Sequence, residues 1–233
     1  MKFQLIPSIA YLCILPVLIA LGIWQLNRAE EKKAVLILQE RSQHTERLIL
    51  TDNLSGNVDA ILYKNVRSTG HYDIEHQYLL DNQVHERRVG YFVLTPFVLK
   101  NEKKAVLVNR GWVGLGKTRS DKPDIDISSE ERSINGRINR FPSVGLKLKG
   151  AEIPTKTWPS IVQIVDNEVI SQQLGYKLMP FQIELDRTEA DGYIREWRTD
   201  SPMPPEKHVA YAVQWFLLAI TLTILFVKYG RQK

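Results

Sequence analysis

The chain has 233 residues, a formal net charge of +5 at pH 7 and one cysteine. This length suits one ordinary domain with membrane anchors. Because Cys13 lies in the first apolar segment, the rest of the chain has no disulfide, thiolate metal site or cysteine nucleophile. Much of the positive charge lies in the two terminal tails, so the composition does not indicate nucleic-acid binding.

The first predicted element is an uncharged apolar segment over residues 5–26. As a helix it would be about 33 Å long, which is enough to cross a bilayer core of roughly 30 Å. A cleaved signal peptide is the alternative, because Lys2 precedes the apolar run and Ala20 and Gly22 are small. The apolar core is longer than the roughly 7–15 residues of a signal sequence, which favours a transmembrane helix.

Residues 27–207 form the second predicted region, a β-rich domain that begins with a helical continuation over residues 28–38. The following segments are β-branched or aromatic and are bounded by Gly, Asn or Asp, so we predict strands at 63–69, 77–81, 90–99, 105–113, 133–138 and 181–186. One helix is predicted between an N-cap at Asp166 and a stop at Gly175. Residues 116–130 and 141–160 are polar, contain proline and are predicted as loops.

The last predicted element is a second uncharged segment over residues 209–227, about 28 Å long as a helix. The basic tail 228–233 follows it, and basic tails remain cytoplasmic while long loops cross regardless of their charge. We therefore expect both termini to be cytoplasmic and the central domain to lie outside. The predicted fold class is a membrane protein in which two transmembrane helices flank a mainly antiparallel β (α+β) extracytoplasmic domain.

One motif matches a nucleotide-binding pattern, Gly111-Trp-Val-Gly-Leu-Gly-Lys117-Thr118. A phosphate loop leads directly into a helix, whose N-terminal amides hold the phosphates. Here Pro123 would interrupt such a helix near its first turn, and no convincing second carboxylate strand for magnesium follows. We interpret the segment as a strand that ends in a glycine-rich turn.

The histidines of the central domain do not indicate a metal site. His85-Glu-Arg-Arg-Val89 begins like a zinc-protease helix, but valine stands where the second histidine must be. His71 and His76 have a spacing that suits no standard metal site. We expect these three histidines to be solvated, and we expect no enzymatic activity.

The outer ends of the two apolar segments carry polar and aromatic side chains: Trp24, Gln25, Arg28, His208, Tyr211, Gln214 and Trp215. On a helix, His208, Tyr211 and Trp215 are spaced i, i+3 and i+7 and share one face. Polar groups at this depth are costly unless paired, which makes them functional candidates. The alternative is an aromatic belt with a snorkelling histidine.

If the two helices pack together, these side chains suit a planar amphipathic ligand such as haem. A neutral histidine can ligate the iron, so His208 is the candidate metal ligand. Trp24, Tyr211 and Trp215 could flank the macrocycle. Arg28 could pair with the propionates.

Four segments, in this order, resemble the surfeit locus protein 1 family of cytochrome c oxidase assembly factors: Leu21-Gly-Ile-Trp-Gln-Leu-Asn-Arg28, Gly90-Tyr-Phe-Val-Leu-Thr-Pro96, Val106-Leu-Val-Asn-Arg-Gly-Trp-Val113 and His208-Val-Ala-Tyr-Ala-Val-Gln-Trp-Phe216. The resemblance covers essentially the whole chain. It implies a factor that receives or presents haem a during maturation of the oxidase catalytic subunit. It maps the family histidine onto His208 and the family Trp-Gln-x-x-Arg pattern onto Trp24, Gln25 and Arg28.

The resemblance also implies the partners: the oxidase catalytic subunit, membrane lipid and possibly haem a synthase, without nucleic acid. The absence of an Arg- and Ser-rich presequence before the first apolar segment favours a bacterial inner membrane protein with a periplasmic central domain. The alternative function is a cofactor-free scaffold that holds assembly intermediates. In either case we expect Trp112 to be a core anchor and Arg110 to be a buried hydrogen-bonding hub.

Overall fold

The computed structural model describes residues 4–43, 46–51, 57–100, 104–116, 121–142, 148–197 and 203–230. The chain divides into two compact units. The helical unit consists of residues 1–40 and 198–233, and the β domain is Arg41–Trp197. In chain order the elements are α1 Leu5–Gln43, β1 Leu48–Ile49, α2 Val58–Ile61, β2 Asn65–Tyr72, β3 Tyr78–His85, β4 Arg88–Leu99, β5 Lys104–Gly114, β6 Arg132–Asn139, β7 Ser160–Val162, α3 Asn167–Leu174, β8 Lys177–Leu185 and α4 Pro205–Tyr229.

The helical unit is an antiparallel pair formed by α1 and α4. Both helices are long and apolar enough to span a membrane. At one end of the pair, the ring of Tyr11 stacks on Phe226 with centroids 4.3 Å apart. Further along, Gly22 lies against Phe216. α1 continues well beyond residue 26, in agreement with the helical continuation predicted from the sequence.

The β domain contains a small closed barrel. Its strands follow the order β1-β2-β6-β8-β5-β4-β3-β7, and an additional pairing of β2 with β4 closes a ring of β2, β6, β8, β5 and β4. Antiparallel pairings predominate, as predicted, although β1–β2, β3–β7 and β5–β8 are parallel. The main core contains large side chains with 1% exposure or less, among them Val66, Tyr72, Phe97, Val106, Val108, Ile138, Phe181 and Ile183.

A second hydrophobic core includes side chains from β3, β4, β5 and α3, with Tyr78, Leu80, Leu94, Leu107 and Ile170 among its members. Because β5 contributes to both cores, its side chains are buried without interruption from Ala105 to Trp112. A strand buried on both faces reads as a continuous apolar run, which holds here for residues 105–108, whereas Asn109 and Arg110 are buried polar residues.

The structure confirms helix α3 at the predicted position. Asp166 Oδ1 accepts hydrogen bonds from the backbone N–H groups of Glu168 and Val169, at 3.1 and 3.3 Å. Gly175 ends the helix in the left-handed conformation, with φ 79°, and its N–H donates to the carbonyl of Ser171. These are the contacts of a standard N-cap and a glycine C-cap.

Removing the α3 cap should have a small, measurable effect. We expect Asp166→Ala to lower the free energy of unfolding by about 1 kcal/mol, because two N–H groups lose their acceptor. In a domain of this size that corresponds to roughly 2–4 °C in Tm. Thermal unfolding followed by tryptophan fluorescence measures the shift. Asp166→Asn keeps a cap acceptor and should unfold close to wild type, and equal losses in both variants would contradict this role for the carboxylate.

Candidate functional site

A buried polar contact joins the two helices of the helical unit. His208 Nδ1 lies 2.7 Å from Gln25 Oε1, and the two residues are only 6% and 9% exposed. An amide oxygen can only accept, so Nδ1 carries the proton and donates it. In the neutral ring, Nε2 is then unprotonated. No other hydrogen bond to this ring is found in the described part of the chain.

Small residues bring the helices close enough for this contact. On α4, the buried positions His208, Ala212 and Ala219 recur at helical spacing and form one stripe. On α1, Gly22 is buried three residues before Gln25. A Cβ at Gly22 would lie 2.5 Å from the Phe216 ring. Small residues let helix backbones approach closely, so this packing sets His208 and Gln25 opposite each other.

The other predicted site residues lie at the surface of the helical unit. Trp24 is 54% exposed and Tyr211 is 44% exposed, while Gln214 is exposed and Trp215 is half-buried. Arg28 pairs with Glu31 one turn further along α1. The structure thus joins two of the predicted side chains, His208 and Gln25, directly.

Helical geometry places most of the remaining residues on one flank of the pair. At about 100° per residue, Tyr211 and Trp215 lie on one side of the buried stripe of α4, and Phe216 lies on the other. The same count places Trp24 and Arg28 on one side of the buried stripe of α1 and Ile19 on the other. A shallow apolar groove of about 450 Å³ marks the Phe216 and Ile19 side; it is lined by Leu15, Ile19, Phe216, Ala219, Ile220, Thr223 and Ile224.

Opposite this groove is a flank that carries Trp24, Arg28, Tyr211 and Trp215, which we call the aromatic flank. By the same count, Trp24 lies at the outer edge of this flank on α1, and Gln214 lies at a similar angle from the seam on α4. The pair of His208 and Gln25 lies at the seam that borders the aromatic flank. This flank therefore combines one imidazole, three aromatic rings and one guanidinium near one end of the helix pair.

Comparison with known proteins places this chain in a family. Residues 12–220 match the model of the SURF1 family. The chain belongs to the SURF1 family. The SURF1-like protein of Rickettsia conorii is 28% identical over 233 residues, which cover 93% of this chain and 88% of the relative. Surfeit locus protein 1 of Arabidopsis thaliana is 30% identical over 268 residues, which cover 91% of this chain and 74% of the relative.

A third relative is similar over a shorter segment. The Saccharomyces cerevisiae protein named cytochrome oxidase assembly protein SHY1 is 26% identical over 106 residues, which cover 45% of this chain and 27% of the yeast protein. Of these three relatives, the yeast protein is the one whose name states a process.

In this SURF1 family member, the predicted hub of the β domain is present. Arg110 is 2% exposed, and its guanidinium donates to the carbonyls of Asp191 and Ile125, at 2.8 and 2.9 Å, and to Gln77 Oε1 at 3.0 Å. Burial lowers the pKa of Arg110, while the neighbouring Tyr193 hydroxyl raises it. The network ties together segments that are distant in sequence, so its role is structural.

Trp112 is the core anchor that the sequence predicted. It is 4% exposed, and its indole N–H donates to the carbonyl of Gln83 at 2.9 Å. A buried indole whose N–H is satisfied packs as an apolar anchor without the cost of an unpaired donor. Trp112 therefore stabilises the β domain from within.

Two of the three histidines differ from the prediction. His76 is half-buried, donates from Nδ1 to the carboxylate of Asp73 at 2.8 Å and packs edge-on against Trp158. His85 is largely buried and lies 5.2 Å from Trp112. The prediction that both are solvated was wrong, because the aromatic rings that cover them come from distant parts of the chain. His71 is exposed, as predicted.

These histidines do not form a metal centre. Across the part of the chain that the structure describes, no three His, Cys, Asp or Glu side chains converge as metal ligands. A haem site differs from such a centre because one axial imidazole can hold the iron.

The segment that matches the nucleotide-binding pattern begins inside a strand. Residues 111–114 are the end of β5, and the backbone of Trp112 donates to the carbonyl of Ile194 at 2.7 Å. Gly111 has φ +114°, a conformation that favours glycine. The interpretation as a strand is confirmed for this part, while Lys117 and Thr118 lie outside the described residues.

Proposed function

We propose that this chain is a membrane-anchored, non-enzymatic factor in cytochrome oxidase assembly that carries haem a for the catalytic subunit. Two facts support the assembly role: the chain belongs to the SURF1 family, and a similar yeast protein is named for oxidase assembly. The observation that supports haem carriage is the buried His208, whose Nδ1 lies 2.7 Å from Gln25 Oε1. In a neutral ring that donates from Nδ1, Nε2 is the nitrogen that can ligate iron.

The proposed topology has α1 and α4 crossing a bacterial inner membrane, with both termini in the cytoplasm and the β domain in the periplasm. The length and composition of both helices suit a bilayer. Lys228 lies in the last turn of α4, where a basic residue favours the cytoplasmic side. The end of α4 that carries His208 would then be at the periplasmic surface.

The residues of the aromatic flank fit haem a as cargo. His208 Nε2 would provide the axial ligand, and Trp24, Tyr211 and Trp215 would contact the apolar macrocycle. Arg28 already pairs with a carboxylate, Glu31, and it would exchange that partner for a propionate. Bound haem would supply the iron, and the chain would orient it and present it to the oxidase catalytic subunit, with haem a synthase as the source.

A cofactor-free scaffold is the second candidate. The exposure of Trp24 and Tyr211, 54% and 44%, is what an aromatic belt at a membrane surface would also show. If the chain is only a scaffold, His208→Ala should leave oxidase activity in the host intact. Variants that unfold the β domain, such as those at Arg110, should abolish it.

The test of haem carriage is the pigment that the purified chain retains. The full chain, produced together with the haem a synthesis enzymes, should carry nearly one equivalent of haem a. Loss of an outer partner of a metal ligand weakens binding about 10–100-fold, so loss of the ligand itself in His208→Ala should reduce retention at least about 10-fold. The exposed His71 is the control, and His71→Ala should retain the pigment. Colourless wild-type protein would overturn the proposal.

A further inference from the structure

Gln25 is buried on α1, and its one hydrogen-bond partner in the described chain is the imidazole of His208, across the helix interface. Both side chains lie within long apolar helices. A buried amide left without its partner costs about 1–3 kcal/mol, so each of the two groups holds the other in place. The His208 ring is therefore held in orientation, and with Gln25 Oε1 as the acceptor its Nδ1 carries the proton.

The partner of His208 is a neutral amide rather than a carboxylate. Histidines that ligate metals usually donate their second N–H to a carboxylate, a carbonyl or a water, and a stronger acceptor increases electron donation to the metal. The acid nearest in sequence, Glu206, is exposed and lies about 200° around α4 from His208. Gln25 can orient the ring, but it cannot draw the proton from Nδ1 as a carboxylate would.

We propose that Gln25 is a positioning residue for His208. Gln25 holds the imidazole so that Nε2 can bind the haem iron, and it keeps this axial bond weak enough for the haem to be released. This inference rests on the haem carriage proposed above. In this inference Gln25 contacts His208, the proposed iron ligand, whereas the sequence prediction grouped Gln25 with the residues that contact haem directly. A carrier must bind its cargo and then release it, and the neutral acceptor provides both orientation and lability.

Two substitutions at position 25 should change haem release in opposite directions. Gln25→Glu keeps the hydrogen bond and adds charge, so haem should leave about 10-fold more slowly and the midpoint potential of the bound iron should fall. Gln25→Leu fills a similar volume without an acceptor, so release should be about 10-fold faster.

The experiment uses the full chain loaded with haem a, mixed with excess apomyoglobin as the acceptor. Transfer is followed by the absorbance of the Soret band, and the potential is measured by redox titration. The control is Asn27→Leu, an exposed position on α1, which should release haem at the wild-type rate. A change that only loosened the helix pair would speed release in both position-25 variants and lower Tm in both.

The outcomes separate this inference from the proposed function. Wild-type chain that binds no haem a overturns haem carriage itself. Wild-type chain that binds haem a, together with position-25 variants that keep its release rate and potential, overturns the role of Gln25 alone. Slower release and a lower potential in Gln25→Glu, with faster release in Gln25→Leu, support it.

Discussion

Arg110→Met should lower the free energy of unfolding of the β domain by about 3–5 kcal/mol, because several buried acceptors lose their donor at a cost of about 1–3 kcal/mol each. The guanidinium donates hydrogen bonds to Gln77 Oε1 and to two backbone carbonyls in irregular segments. Gln77 Oε1 also accepts a hydrogen bond from the Thr95 hydroxyl. Methionine replaces the aliphatic stem of the arginine side chain but donates no hydrogen bond. In a domain of this size the loss corresponds to roughly 10 °C or more in Tm.

The measurement is thermal unfolding of the full chain in detergent, followed by tryptophan fluorescence, which reports on Trp112 and Trp197 within the β domain. Arg67→Met is the matched control, because Arg67 is exposed on β2. Surface substitutions usually change the free energy of unfolding by no more than about 0.5 kcal/mol. Arg110→Lys should be almost as damaging as Arg110→Met, since an ammonium lacks the fork that reaches several acceptors at once. Equal Tm values for the Arg67 and Arg110 variants would contradict the hub.

The hub shows what one sequence can and cannot predict. An arginine two residues before a tryptophan in a segment rich in valine indicates a buried polar anchor, and Arg110 is one. Its acceptors, from Gln77 to Asp191, come from segments up to 81 residues away. Sequence spacing carries no information about such partners, because only the closed barrel brings them together.

The predicted strands show the same difference between local sequence patterns, which can be predicted, and long-range contacts, which cannot. The longer ones, such as β4 and β5, were found close to their observed bounds, because β-branched and aromatic residues between turn residues are a strong local pattern. β7 has only three residues, begins at the last residue of the predicted loop 141–160 and was not predicted, and β1 was also missed. Both are short and pair in parallel with distant strands, so tertiary contacts rather than local preference determine them.

At the candidate site, the prediction and the structure differ in which side chains face the interface between the two helices. The spacing of His208, Tyr211 and Trp215 selects one face of an isolated helix. The observed interface instead follows His208, Ala212 and Ala219, because small residues determine where two helices can approach. Attention to side-chain size, with Gly22 on α1, would have identified the seam. The hydrogen bond to Gln25 follows from that seam.

Closure of the barrel depends on a glycine where β2 leaves β6 and pairs with β4. Gly70 pairs with Arg132 on one side and with Leu99 on the other. A Cβ at this position would lie 2.0 Å from the carbonyl oxygen of Val98. That atom is backbone and is held by the sheet, so it cannot move aside as a flexible side chain would.

Gly70→Ala should therefore destabilise the β domain by about 3 kcal/mol, the upper end of the usual cost of overpacking, by separating β2 from β4. Gly114→Ala is the control, because its Cβ would meet the nearest atom, in the Trp112 ring, at 3.5 Å, an ordinary contact. Thermal unfolding should show a loss of roughly 10 °C for Gly70→Ala and little change for Gly114→Ala. Hydrogen exchange should lose protection first along β2 and β4, since an opened barrel exposes the amides that the closing pairing had covered. A wild-type Tm for Gly70→Ala would mean that the barrel tolerates a wider gap between these strands than the close packing of a protein core allows.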